Sequence, residues 1–258
     1  MFGATAAHAG AWTRPKGEGL FILGYSFHRL EPGTEQGAPR RLKYEASIYG
    51  EYGLTDRFTV VGRAAWQTLT DARVTVPSKK ELAFDKTKPP AFGQSGVGGI
   101  EIGARYRLYA ADRWVMSAQA LVNVPASGEN QINDRFGEGV GGLDLRAQIG
   151  RSVGETGFFS VSSGWRTHEG ARPDELRLDV TAGVELFDRV SAMAQTYSVW
   201  SLSDQSVANY SYAGHRAQLS LLVRLSDVQH AQLSVLSTFA HDNMSEERAI
   251  MASIWRQF

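Results

Sequence analysis

The sequence predicts an all-β chain: a transmembrane antiparallel up-and-down β-barrel of about 12 strands. Three observations predict this fold. Apolar and polar residues alternate with a period of two in many segments, so that every second position, the apolar parity, is apolar. The connections between those segments are alternately short and long. Aromatic residues at positions of the apolar parity lie near both ends of the segments. Short turns on one side, longer loops on the other and an even strand count are typical of barrels that cross a membrane.

The composition argues against several other classes of protein. The 258 residues carry 27 Lys and Arg against 27 Asp and Glu, so no basic excess favours a nucleic-acid partner. There is no cysteine, which excludes disulfides and thiolate metal sites. No apolar run approaches the roughly 20 residues of a membrane-spanning helix, whereas barrel strands need only about ten residues with every second one apolar.

The clearest strand runs from Leu176 to Leu186. Its even positions are all apolar, and its odd positions are Arg, Asp, Thr, Gly and Glu. Unbroken alternation predicts a strand with one apolar and one polar face. The same pattern along the chain predicts strands, in order, at 19–29, 41–53, 57–68, 97–109, 113–124, 140–151, 157–167, 175–186, 189–200, 215–225, 229–240 and 248–258.

The connections arrange these strands in one sheet with two different sides. Every connection from an even to an odd strand is short, and three of them carry an Asp-Arg pair that begins at Asp56, Asp112 and Asp188. Every connection from an odd to an even strand is predicted to be longer, including the last one at 241–247. Both chain ends then lie on the short-turn side, which predicts periplasmic termini in an outer-membrane barrel.

The longest connection runs from Thr70 to Ser95 and contains Pro89-Pro90 and four lysines. It is predicted either to form a constriction or lid over the barrel mouth, or to remain a solvated loop.

Aromatic residues of the apolar parity are predicted to form a girdle at each membrane interface. The girdle near the short turns is predicted to contain Tyr52, Phe58, Trp114 and Phe258. The girdle near the long loops is predicted to contain Phe27, Trp66, Trp165, Trp200 and Phe239.

The two ends of the chain are predicted to carry export and assembly signals. Ala7-His8-Ala9 follows small apolar residues as a signal-peptidase site does, so residues 1–9 are predicted to be the remnant of a secretory signal and 10–258 a single barrel domain. A disordered N-terminus remains the alternative. The last strand ends on Phe258, which resembles the recognition signal of the outer-membrane assembly machinery, although Arg256 departs from that pattern.

The alternation, the stretch YGLTDRF from Tyr52 to Phe58 and the terminal Phe258 resemble the outer-membrane proteins grouped as meta-pathway phenol-degradation transporters. At the level of the barrel the resemblance covers nearly the whole chain, while the short motif also occurs in other outer-membrane barrels. The resemblance implies a bacterial outer-membrane location and the passage of a small solute, often aromatic or apolar. It carries over no solute-binding residues.

If the residues of the apolar parity face lipid, the alternating polar residues face the lumen. Many of these polar residues are charged. About eight strands enclose a filled interior and about sixteen an open channel, so a barrel of about twelve has a narrow lumen. The charges either line a wet pore, in which the abundance of Arg favours anions, or pair as a polar plug. The lumen-lining candidates are Lys43, Glu45, Glu51, Arg63, Glu101, Arg105, Arg107, Asp144, Arg146, Arg166, Arg177, Asp179, Glu185, Arg216 and Arg224.

Histidines give a weaker signal. Four of them are expected near the long-loop rim without the tight spacing of a metal site, so no metal is assigned: His28, His168, His215 and His241.

The sequence therefore favours a monomeric or weakly oligomeric outer-membrane channel, embedded in lipid, for a small solute. It predicts no enzymatic activity, no cofactor and no nucleic-acid partner. Two alternatives remain open: a structural barrel with a plugged lumen, and a lipid-modifying enzyme built on His241 beside Ser163 or Ser237. There is no G-x-S-x-G elbow to support the enzyme.

Overall fold

The computed structural model describes residues 10–31, 41–71, 93–125, 141–170, 172–202 and 211–258. Within these ranges, twelve antiparallel strands close into a barrel in which consecutive strands pair and the first strand pairs with the last. The predicted fold class is confirmed. The strands are β1 (Gly19–Glu31), β2 (Arg41–Thr55), β3 (Phe58–Asp71), β4 (Gly93–Ala111), β5 (Trp114–Val124), β6 (Gly142–Val153), β7 (Gly157–Arg166), β8 (Glu175–Phe187), β9 (Val190–Ser201), β10 (Ala213–Arg224), β11 (Gln229–Asp242) and β12 (Glu246–Gln257).

Strand β5 shows how the sequence makes the wall of the barrel. Exposed and buried residues alternate along it without a break. The exposed residues include Trp114, Met116 and Val122, while the buried ones include Ser117 and Gln119. Large exposed apolar side chains recur around the outside of the barrel. An apolar outer face over a polar interior suits a wall that is surrounded by lipid.

The predicted strand limits differ from the observed ones by at most four residues, and the largest difference is at the start of β4. One predicted connection is wrong. The last odd-to-even connection was expected to be long, but β11 ends at Asp242 and β12 begins at Glu246. Asn243 has a φ of 50°, a left-handed conformation that Asn tolerates, so both strands continue into a tight turn.

Two sequence predictions fall outside the described residues: the signal remnant at 1–9 and most of the connection from Thr70 to Ser95. Among the described residues, no helix is long and apolar enough to cross a membrane.

The segment 10–18 precedes β1 and enters the barrel from the short-turn end. Ala11 has no solvent exposure. The backbone amide of Gly17 donates a hydrogen bond to the carbonyl of Gly53 on β2, at 2.8 Å. A Cβ atom at Gly53 would lie 2.0 Å from the carbonyl oxygen of Pro15, so this close approach of two backbones requires glycine.

Candidate functional site: a charged cavity above an apolar floor

The barrel encloses a cavity of about 800 Å³, and all twelve strands contribute side chains to its lining. Because side chains alternate across each strand, the polar parity of the sequence forms this lining. Ten of the fifteen charged residues predicted to line the lumen lie on the surface of this cavity: Lys43, Glu45, Arg63, Glu101, Arg105, Arg146, Arg166, Arg177, Asp179 and Arg216.

The other five predicted charges lie elsewhere. Glu51 is buried beside Arg105. Asp144 is fully buried in the wall behind the cavity. Arg224 and Glu185 lie 3.5 Å apart near the short turns. Arg107 does not line the cavity; its backbone amide donates to the carbonyl of Arg57.

One group of charges centres on Asp144. Its carboxylate accepts hydrogen bonds from Arg146 at 2.7 Å and from Arg166 at 2.8 Å. Arg166 also donates to Glu101 at 2.9 Å, which joins β7 to β4 across two intervening strands. Arg146 donates to Asp179 on β8. Two guanidinium groups thus share one dehydrated carboxylate, and each has a second anionic partner.

A second group centres on Glu247 of β12. Its carboxylate lies 2.7 Å from Nδ1 of His28, 3.2 Å from Nζ of Lys43 and 2.7 Å from Nη1 of Arg216. The histidine is buried inside the barrel, near the end of β1 that leads into a long loop. On the neighbouring wall, Arg63 donates to Glu45 at 3.1 Å.

The short-turn end of the lumen has a different chemistry. Five buried apolar side chains from different strands pack together there: Leu20, Phe158, Met193, Leu222 and Trp255. Trp12 of the N-terminal segment packs against this cluster, with its ring 5.8 Å from that of Phe158 in a T-shaped arrangement. The cluster and Trp12 form an apolar floor beneath the charged cavity, while Arg14 of the same segment pairs with the buried Glu51 at 2.7 Å.

The sequence analysis missed this floor. The sequence does contain a signal for it, because the alternation of polar and apolar residues is interrupted. Near the short-turn ends, large apolar residues replace polar ones at inward positions, as at Leu222 of β10 and Phe158 of β7. Strand β1 contributes two such residues, Leu20 and Ile22, and each of the other strands of the cluster contributes one. Only the closed barrel brings them together.

The predicted girdle residues all lie at positions whose side chains point outward from the barrel. Two of these rings meet where the first and last strands of the barrel pair. Phe258 stacks on Tyr52 with centroids 6.5 Å apart, and Gly19 leaves room for the Phe258 ring. Trp114 lies 5.0 Å from the Arg151 guanidinium carbon. The remaining predicted girdle residues are Phe27, Phe58, Trp66, Trp165, Trp200 and Phe239, of which Phe58 and Trp200 are half-buried and the others exposed.

The remaining histidines do not come together. His168 donates from Nδ1 to the carbonyl of Pro173, and burial, with help from Arg172, lowers the pKa of His168. His241 is exposed near the end of β11. Among the described residues, no group of three or more His, Asp or Glu side chains is arranged to hold a metal ion.

One serine and one histidine do meet on the outer wall. Nδ1 of His215 lies 3.0 Å from Oγ of Ser198, and the imidazole ring lies between Trp200 and Phe239. A Ser–His nucleophile also needs a group that orients the histidine. Within the described part of the chain, no carboxylate hydrogen-bonds to His215, so the pair is a polar element of an aromatic cluster.

A closed barrel with an apolar outer face and a charged internal cavity has the architecture of a membrane-spanning pore protein. No protein-family model and no curated protein matches the chain. An outer membrane channel from Pseudomonas putida F1 aligns with 98% of this chain and 100% of its own, with 13% sequence identity and a TM-score of 0.72.

Two further solved structures are similar. The NanC porin aligns with 91% of this chain and 98% of its own, with 9% identity and a TM-score of 0.58. The CymD monoaromatic hydrocarbon channel aligns with 95% of this chain and 89% of its own, with 10% identity and a TM-score of 0.50. At these identities the likeness concerns the fold.

Proposed function

We propose that this protein is a bacterial outer-membrane channel through which a small solute passes, that it acts as a monomer, and that it performs no covalent chemistry. The observation that carries the proposal is the cavity of about 800 Å³ lined by charged side chains inside a closed barrel whose outer face is apolar. Charged side chains that line a hydrated passage set which solutes enter it.

The connections support one orientation in the membrane. The start of the first strand and the end of the last strand lie together on the short-turn side, where the amide of Gly19 donates to the carbonyl of Phe258 at 2.8 Å. In outer-membrane barrels the short turns face the periplasm. We therefore propose that both termini and the apolar floor lie at the periplasmic end, with the charged cavity towards the outside.

The floor limits which solutes can complete the passage. A solute that leaves the charged cavity towards the short turns meets Trp12 and the cluster that contains Phe158. An apolar or aromatic body can contact these rings, whereas a strongly hydrated solute gains little from them. This favours small solutes with an apolar body, and the fold is shared with a protein described as a monoaromatic hydrocarbon channel.

Single-channel conductance of the refolded protein in a planar lipid bilayer tests the proposal. Discrete and stable current steps are the expected result. Folding is checked by circular dichroism typical of β-strands and by heat-dependent migration on gels. If the folded protein gives no current steps, a structural barrel with a plugged lumen is favoured instead.

A lipid-modifying enzyme is the other alternative, and the Ser198–His215 contact is the place to test it. The expected result is that the folded protein in phospholipid vesicles releases no fatty acid. Release that disappears in Ser198→Ala would make the protein an enzyme.

We also propose that Phe258 is read by the outer-membrane assembly machinery. Its ring is on the lipid-facing parity of the last strand. Removal of Phe258 is expected to reduce the amount of folded barrel in the outer membrane of cells while leaving refolding into detergent unchanged. Equal amounts of the two proteins in the membrane would contradict this role.

A further inference from the structure

The long-loop end of β5 contains a buried amide that does not hydrogen-bond to its neighbours. Asn123 lies between the exposed residues Val122 and Val124, so its side chain points inward, and it is only 5% exposed. Within the described part of the chain, neither Nδ2 nor Oδ1 of Asn123 has a hydrogen-bond partner. Buried amides are almost always hydrogen-bonded, because removing them from water without a partner costs free energy. This amide is therefore available to a bound molecule.

The two residues opposite Asn123 on the neighbouring strands do not provide a partner. Glu101 of β4 is opposite on one side, but its carboxylate accepts a hydrogen bond from Arg166 at 2.9 Å. Gly142 of β6 is opposite on the other side and has no side chain.

A second buried polar atom without a partner lies beyond Gly142, on the continuation of β7. The amide of Thr167 donates to the carbonyl of Leu143 at 2.8 Å, so the pairing of β7 with β6 continues past the end of the strand. In this register His168 lies opposite Gly142. A Cβ at Gly142 would be 3.5 Å from Cα of His168, so the two chains pass close to each other there. Asn123 and His168 therefore flank one glycine on the same face of the sheet, with neighbouring strands about 4.8 Å apart.

The ring of His168 presents a hydrogen-bond acceptor. Its Nδ1 donates to the carbonyl of Pro173 at 2.9 Å, which places the proton on that nitrogen. Burial lowers the pKa of His168, so the ring is neutral at pH 7. Nε2 then carries a lone pair, and this buried atom has no hydrogen-bond partner among the described residues.

Asn123 and His168 line one cavity of about 450 Å³, to which Val122, Val124 and Leu143 add apolar surface. Cavities of this size hold small molecules. The amide offers two N–H donors and one acceptor, and the imidazole offers one acceptor. Two hydroxyl groups on adjacent carbons match this set: one donates to Nε2 and accepts from Nδ2, and the other donates to Oδ1. A carboxylate has no hydrogen to donate to either acceptor.

We propose that Asn123 and His168 bind a small neutral diol, two adjacent hydroxyl groups on a compact apolar body, at the long-loop mouth of the barrel. The inference names a solute class for the proposed channel and rests on that proposal for its physiological meaning. The hydrogen bonds that define the site do not depend on conduction.

Ligand-observed NMR titration of the folded protein in deuterated detergent micelles tests the site, with cis-1,2-cyclohexanediol and cyclohexanol as probes. The two probes share a ring and differ by one hydroxyl group. The diol should bind roughly tenfold more tightly, because a single hydroxyl can donate to only one of the two acceptors. Equal affinities, or no binding of the diol, would show that water alone serves these polar atoms and would overturn the proposal.

Asn123→Leu separates binding from folding. It replaces the amide with an apolar group of similar size, so the diol should bind roughly tenfold more weakly or not at all. The urea midpoint of unfolding should not fall, because no hydrogen bond within the protein is lost. His168→Phe removes the second acceptor and should weaken diol binding to a similar degree. Undiminished diol binding by either folded variant would contradict a site formed by the two residues.

Gln119→Leu is the matched control. Gln119 is also an inward amide of β5, but its Oε1 already accepts hydrogen bonds from Arg105 at 2.9 and 3.0 Å. This substitution should lower the urea midpoint, because Arg105 loses a buried partner, and should leave diol binding by the folded protein unchanged. An equal loss of diol binding in Gln119→Leu would mean that binding follows the general state of the lumen, which would contradict the site.

Conductance separates this inference from the proposed function. Diol binding that depends on Asn123, in a protein that gives no current steps, would refute the channel and keep the site. Current steps from a protein that does not bind the diol would keep the channel and refute the site.

Discussion

At the scale of single residues, the interior is organised by carboxylates buried in the wall. Asp144 is fully buried and accepts hydrogen bonds from both Arg146 and Arg166. Removing one member of a buried ion pair leaves an uncompensated charge without water around it. Such carboxylates hold the arginines in place and determine which parts of them face the lumen.

The substitution Asp144→Asn should lower the free energy of unfolding by about 3 kcal/mol, the lower end of the range for a broken buried pair. The lower end applies because Arg146 keeps Asp179 and Arg166 keeps Glu101. Urea unfolding in lipid vesicles measures the change. Glu246→Gln breaks the exposed pair with Arg248 and should cost only about 0–1 kcal/mol. Similar midpoints for the two variants would show that Asp144 is not structurally important.

Tyr212 provides a prediction that depends on pH. Its hydroxyl donates to the buried carboxylate of Glu175 at 2.5 Å, just outside the start of β10. Burial, together with this hydrogen bond, raises the pKa of Tyr212 to about 12. An unfolded tyrosine has a pKa near 10. The folded protein therefore holds this proton more tightly, so the stabilisation is complete below about pH 10 and is lost as pH rises towards 12.

Tyr212→Phe removes both the hydrogen bond and its titration. Its free energy of unfolding should be about 1–3 kcal/mol lower than wild type at pH 8, because Glu175 loses a buried donor. Between pH 10 and pH 12 the two proteins should approach each other in stability, which urea titrations at several pH values would detect. A difference that stays constant up to pH 12 would contradict the role of the phenol proton.

At the scale of elements, the sequence predicted the strands better than it predicted the connections between them and the side-chain contacts inside the barrel. Strand β5 alternates strictly and was placed to within one residue, whereas β4 begins earlier than predicted. The added stretch, Gly93 to Gly96, contains two glycines and so offers few side chains to reveal a period. Alternation identifies a strand only where each residue has a side chain that differs from its neighbours in polarity.

The partners of the lumen charges were beyond prediction for a different reason. Arg166 meets Glu101 across two intervening strands, and Glu247 meets both Lys43 and Arg216. Such contacts depend on the stagger of the closed barrel, which the sequence does not state. Parity showed that these residues share the interior, but not which of them touch.

The N-terminal segment is the element that departs most from the predicted pattern, and it has no periodicity because it is not a strand. Gly53→Ala tests its role, since the added Cβ would lie 2.0 Å from the Pro15 carbonyl oxygen. The clash should displace the segment, destabilise the barrel by about 1–3 kcal/mol and raise the single-channel conductance. The measurement is the size of the current step in a planar bilayer.

Gly50→Ala on the same strand is the control, because its nearest atom, the carbonyl oxygen of Leu20, would be at 3.9 Å, an ordinary contact. Its conductance should equal that of wild type. An unchanged current step in Gly53→Ala would show that the segment does not restrict the passage.

At the scale of the whole molecule, the decisive property is an outer surface that is apolar and an interior that is charged. A water-soluble barrel with the same alternation would place these faces the other way round. The surface of this barrel exposes Leu219 in the middle of β10 and Leu225 just beyond its end, at 62% and 54%. The two leucines have similar exposure and differ in height along the barrel. Substitutions at these two positions can therefore show whether lipid or water surrounds each height.

Leu219→Arg should lower the free energy of unfolding by about 2–4 kcal/mol in lipid vesicles, because a charge at the bilayer midplane loses its hydration. Leu225→Arg should cost about 0–1 kcal/mol, because its side chain reaches the headgroups. Reversible urea unfolding of the two variants and wild type measures both values. Equal and small effects would mean that water, and not lipid, surrounds the middle of the barrel, which would remove the physical basis for placing this protein across a membrane.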